Sequence, residues 1–98
     1  MGSERKTFRG LKSGQKVYKA RLESDRKTAT LERIDVKYVD VFETSWGNQY
    51  VISLNDGDIF SVYPLNSFTY AGRTLYGANL RLVEYELNQG GWNIVRKF

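Results

Sequence analysis

Two pairs of carboxylates, Asp56 with Asp58 and Glu84 with Glu86, are spaced so that both members could serve one reaction as acid and base. No other residue types offer as much, because the 98 residues contain no histidine and no cysteine. The commonest general base, the commonest transition-metal ligands and the thiolate nucleophile are therefore missing. Asp56 and Asp58 flank Gly57 in "NDGD", where Asn and Asp supply local hydrogen bonds to a tight turn, and the stretch lacks the six or more oxygens of a calcium loop. Glu84 and Glu86 stand at alternate positions near Arg81 and read as an exposed face. The glycines of "TYAGRTLYGAN", Gly72 and Gly77, are five apart with no Lys-Ser or Lys-Thr after them, so no phosphate loop occurs. The expectation is a binding module and not an enzyme, with neither metal nor cofactor.

Binding surfaces are easier to find. The net charge of +4 is segregated: residues 1–37 carry +6 and residues 38–98 carry −2. Such asymmetry suits an acidic partner, although a solvated basic face gives the same pattern. Arg5, Lys6, Arg9 and Lys12 precede the first patterned strand, and Lys19, Arg21, Arg33 and Lys37 follow at positions that would form a stripe on the outward face of the first two strands. Cations tracking along a small barrel fit the backbone of a nucleic acid. Part of the stripe would be paired internally if Glu32 lies opposite Lys19, with Asp35 between Arg33 and Lys37.

The second candidate surface is aromatic. Fourteen aromatic residues exceed what one small core easily hides, and those in aperiodic segments are the exposed candidates: Trp46 in "SWGN", and Phe68, Tyr70 and Tyr76 with Arg73. Tyr, Trp and Arg dominate protein interface hot spots and also stack nucleobases. Trp46 and Phe68 would serve equally well as lids on the ends of a barrel. The functional expectation is thus a nucleic-acid-binding module, with a protein-interaction or inhibitory module as the alternative. Oligomeric state is left open.

The elements that must position these groups have a period of two. In "KVYKARLE", Tyr18, Ala20 and Leu22 alternate with Lys19, Arg21 and Glu23, which predicts a strand with one face inward. "SDRK" is a turn. In the return strand "TATLERIDVKY", Ala29 and Leu31 are out of phase with Ile34, Val36 and Tyr38, which predicts a β-bulge near Glu32 and Arg33 and a second slip at Tyr38 and Val39. "QYVISL" and "DIFSVYP" flank an Asp-Gly and form a hairpin that ends at Pro64. "LNSFTYAGRTLYGAN" reads as a long loop or broken strand. "LRLVEYEL" is expected as a strand returning through "NQGG" to "WNIVRKF", although Leu80, Val83 and Leu87 would also line one face of a helix capped by Asn79.

Six or so strands and no firm helix give an all-β, strongly bent antiparallel barrel, SH3-like or OB-like. Residues 1–14 are expected as a flexible basic arm and residues 15–98 as a single barrel domain. With no cysteine, no long apolar run and no apolar leader, the chain is expected to be cytoplasmic, with no membrane association.

Overall fold

The seventeen-residue strand β2 (Thr28–Thr44) organises the structure. A computed structural model describes residues 6–98. Strands β1 (Lys16–Leu22), β3 (Gly47–Leu54), β4 (Ile59–Val62), β5 (Phe68–Ala71) and β6 (Thr74–Gly77) join β2 in the order β4-β3-β2-β1-β6-β5. These six antiparallel strands form a nearly closed barrel. The hairpin at Asp56-Gly57 is present as expected, with Gly57 at φ 98°. Helix α1 (Leu80–Gln89) crosses the outside of the sheet and delivers a short last strand, β7 (Asn93–Arg96), parallel to the start of β2. No helix among the described residues is long and apolar enough to cross a membrane.

Two apolar cores lie on opposite sides of the sheet. Inside the barrel, Phe8, Val17, Val36, Ile52, Leu54, Phe60, Val62 and Tyr76 are buried together. Outside it, Ala20, Ala29, Leu31 and Leu75 meet Val83 and Leu87 of α1. This explains the change of phase in β2. Its first half sends Ala29 and Leu31 outward to the helix, and its second half sends Val36 inward to the barrel. The expected bulge at Glu32 and Arg33 is absent, because the register between β1 and β2 runs unbroken from Lys16↔Asp35 to Leu22↔Ala29. One register shift does occur, between Val36 and Tyr38 against β3, a little before the second expected slip. There a β-bulge adds the bend that carries β2 from one side of the barrel to the other.

The segment expected as a strand at "LRLVEYEL" is α1, and its two ends show why. Asn79 has extended backbone and its side-chain oxygen accepts from the N–H groups of Arg81 and Leu82 at 2.9 and 3.3 Å. At the other end, Gly91 (φ 79°) lets its own N–H reach Asn88 O at 3.0 Å and that of Trp92 reach Leu87 O at 3.1 Å. This is the Schellman closure that a left-handed residue permits. Both caps were present in the sequence, but the alternation of Trp92 and Ile94 beyond the turn mimicked a hairpin. The preceding "loop" is also ordered, as the β5–β6 hairpin turning at Gly72 and Arg73.

Residues 6–14 do not form a free arm. Phe8 is wholly buried, its ring edge-on to Phe60 at 5.7 Å, and Phe60 in turn stacks on Tyr76 at 4.0 Å. The N–H of Phe8 donates to Asn66 O in the β4–β5 connection, and the N–H of Gly14 donates to Val36 O of β2. The segment therefore straps the open side of the barrel, and Phe8 is the plug that Trp46 and Phe68 had been expected to supply.

Helix α1 sits close to the sheet because Gly77 has no side chain: a Cβ there would lie 2.1 Å from Cγ2 of Val83. Gly77→Ala is expected to destabilise by about 2 kcal/mol through overpacking. Adding Val83→Ala should cost less in the Gly77→Ala background than in the parent, since the truncation relieves the clash. Chemical denaturation of the four proteins checks this, and plain additivity would refute the close approach.

Candidate functional site

The strap and α1 form the two walls of an open cleft of about 760 Å³. Lys6, Arg9, Leu11 and Lys16 line one side, Asn79 and Arg81 the other, and Tyr18 lies between them. Four cations face this space and no acid lines it. The burial of Phe8 fixes Lys6 and Arg9 on either side of it, and the Asn79 cap fixes Arg81 in the first helical turn. A cation is disfavoured there, where the helix dipole is positive, by roughly 0.3–1 kcal/mol. No acidic residue in that turn offsets it. Lys6, Arg9 and Arg81 form no ion pair among the described residues, whereas Lys16 is paired with Asp35. Three cations without an ion pair are thus gathered in the cleft, one of them, Arg81, against local preference. Such violations of local rules concentrate at functional positions.

An aromatic and cationic rim continues from the cleft. The half-buried ring of Tyr18 lies 5.9 Å from that of Phe98, and the guanidinium of Arg33 sits 5.1 Å above the Phe98 ring. Arg96 approaches the same ring from 5.9 Å while pairing with Glu84.

The basic residues expected as one stripe are divided by the sheet. Tyr18 pairs with Arg33 and Lys19 with Glu32, so Arg33 and Lys19 point to opposite faces. Arg33 joins the cleft rim. Arg21 is held by Glu23 at 3.2 Å and Glu32 at 3.8 Å. Lys12 stands beside a shallow apolar groove with Tyr38, Val39, Val41 and Tyr50, and Lys37 is exposed at the bulge. Arg5 lies outside the described residues. Lys6 and Arg9 of the basic set line the cleft, and the residues that complete it, Lys16, Tyr18 and Arg81, were missed. Arg81 could have been found only by reading its segment as a helix.

Lys19 has a different role. It is only 8% exposed, and its ammonium lies 2.8 Å from Asp56 and 2.7 Å from Asp58 in the β3–β4 turn. Burial pulls the ammonium down, but the hydrogen bonds and charges of the two carboxylates outweigh it and hold Lys19 above its ordinary range. Asp58 is held below the usual carboxylate range by Lys19 and by the Tyr76 hydroxyl, which donates to it at 2.6 Å. Tyr76 is pushed upward, first by burial and then by Asp58. The two acids converge here, but on a cation that neutralises them. Neither cleft is lined by any of these four residues. Glu84 and Glu86 diverge, one to Arg96 and the other to the Tyr70 hydroxyl at 2.9 Å. Among the described residues no group of three acidic or other metal-ligating side chains comes together.

The expected aromatic interface is likewise dispersed. Tyr76 belongs to the barrel core, and Phe68 packs against the helix-side core. Tyr70 rests on Glu86, with its hydroxyl pushed up to about 12 by burial and by that carboxylate. Arg73 is exposed in the β5–β6 turn. Trp46, 84% exposed, stands alone at the tip of the β2–β3 hairpin.

Fold and site together define a small β-barrel domain with a basic cleft beside helix α1. No family model, curated protein or solved structure matches the chain.

The Lys19 cluster makes a pH prediction. Below about pH 4 the unfolded chain protonates Asp58 while the folded chain keeps it ionised, so stability falls with acid. Above about pH 10 the unfolded chain releases the Tyr76 and Lys19 protons that the folded chain retains, so stability falls again. Melting temperatures measured across pH should show both limbs. Tyr76→Phe should flatten the alkaline limb and leave the parts due to Lys19 and Tyr70. Lys19→Met should destabilise more than Arg21→Ala, whose exposed ion pairs contribute at most about 1 kcal/mol.

Proposed function

We propose that the chain is a non-enzymatic binding module that holds the phosphate backbone of a single-stranded nucleic acid in the cleft between the strap and α1. The observation that carries this reading is a cleft lined by Lys6, Arg9, Lys16 and Arg81 with no acidic residue among its walls. Polyanion affinity comes from such cations through release of counterions. Tyr18 inside the cleft and Phe98 beside it offer faces on which bases stack, which is how small barrels hold single strands without reading sequence. A walled cleft admits one strand, whereas a duplex needs an open stripe, and the stripe is interrupted where Lys19 and Arg21 turn to the opposite face and pair with acids. The alternative, a protein-interaction module, draws support from the exposed apolar residues of the β2–β3 hairpin and not from the cleft.

Fluorescence anisotropy of a labelled mixed-sequence single strand across a salt series tests the reading. Three or four cations reaching phosphates predict a slope of log K against log salt of about −2 to −3, at about −0.7 per phosphate. Replacing Lys6, Arg9 and Arg81 together by Ala should reduce the slope by about two and leave sequence preference unchanged. Arg21→Ala, on the other face, should leave both affinity and slope as they were. Absence of binding at low salt, or equal loss in the Arg21 variant, would overturn the proposal.

A further inference from the structure

Among the described residues, the edge of β2 beyond the barrel has no partner strand. β1 covers that edge only as far as Asp35, and Gln15 and Gly14 exchange backbone hydrogen bonds with Val36. From Tyr38 to Thr44, β2 is paired on one side, by β3, and among the described residues no strand lies on the other. Tyr38, Val41 and Phe42 are about half exposed along this segment. Beside it lies a shallow groove of about 300 Å³ formed by Leu11, Lys12, Tyr38, Val39, Val41 and Tyr50. A long, apolar, unpaired edge is a template for another strand, and proteins that remain monomeric usually blunt such edges with proline, inward charges or short strands. No proline occurs in β2.

The sequence of the edge selects the strand that fits it. We infer that two copies of this chain pair antiparallel through residues 38–42 of β2, with the two-fold axis at Asp40. In this register Tyr38 of each copy lies opposite Phe42 of the other and Val39 opposite Val41, while Lys37, the extra residue of the bulge, stays outside the pairing. Each pair combines two aromatics or two β-branched side chains, combinations that stabilise cross-strand neighbours. Sliding the copies by two residues would set Asp40 against Phe42 and Val39 against Glu43, burying acids on apolar partners. Sliding by one would place Tyr38 against Glu43 and turn the apolar groove of one copy away from that of the other. Asp40 facing its own counterpart is the one unfavourable contact in the chosen register. The pairing would join β3-β2 of one copy to β2-β3 of the next in one continuous sheet, leaving the basic cleft of each open.

Sedimentation velocity over a concentration series tests this on the full chain without nucleic acid. The wild type should show a concentration-dependent monomer–dimer equilibrium. Val41→Lys and Phe42→Lys should each shift it to monomer by an order of magnitude or more in concentration. Asp40→Asn should tighten it, because it removes the like-charge contact on the axis. These side chains are exposed, and circular dichroism of each variant separates loss of pairing from loss of folding. A wild type that is monomeric throughout would overturn the inference, including in favour of a foreign strand as the natural occupant of the edge. So would a dimer that these substitutions leave unchanged.

Discussion

One strand has to serve two cores on opposite faces of the same sheet, and the rest of the molecule follows from how β2 meets that requirement. Its first half contributes Ala29 and Leu31 to the helix side and its second half contributes Val36 to the barrel side. Neither half is buried on both faces along its whole length, so the strand reads as alternating throughout while the meaning of the alternation reverses midway. The helix is required because the first half would otherwise present an apolar face to water. The strap is required because the second half leaves the barrel with an opening that only a large ring can fill. Cleft and walls are a by-product of these two remedies lying side by side.

The sequence made the barrel legible because hairpin turns and period-two strands are local signals. The Asp-Gly turn, the β1–β2 hairpin and the bent long strand could all be read from neighbouring residues. What could not be read was the use of both sheet faces, because alternation does not say which side is occupied. The reversal at Leu31 to Ile34 therefore resembled a bulge, and α1 resembled a strand whose partner lay beyond "NQGG". Locally, Asn79 and Gly91 held the correct answer, since an N-cap and a left-handed closure frame one apolar stripe of Leu80, Val83 and Leu87. They were outvoted by a pattern two residues long.

The candidate site was partly legible for a similar reason. Segregation of charge in the first third of the chain was visible, and Lys6 and Arg9 do reach the cleft. The division of the remaining cations was not, because alternation sends neighbours such as Tyr18 and Lys19 to environments with nothing in common. One becomes part of a basic cleft. The other becomes the counter-ion of a hairpin turn two strands away, where Asp56 and Asp58 would repel each other without it.

The position of Phe8 also orders events in time. Its contacts to Asn66 and Phe60 join the strap to residues more than fifty positions later, so the strap's aromatic ring completes the barrel interior only after those later strands exist. Non-local closure of this kind is paid for in loop entropy before any contact is gained, which makes it a late step. During translation the strap therefore leaves the ribosome as an unanchored cationic segment, and it becomes a wall of the cleft only when β6 has emerged and the ring of Phe60 has a stacked partner on which Phe8 can settle.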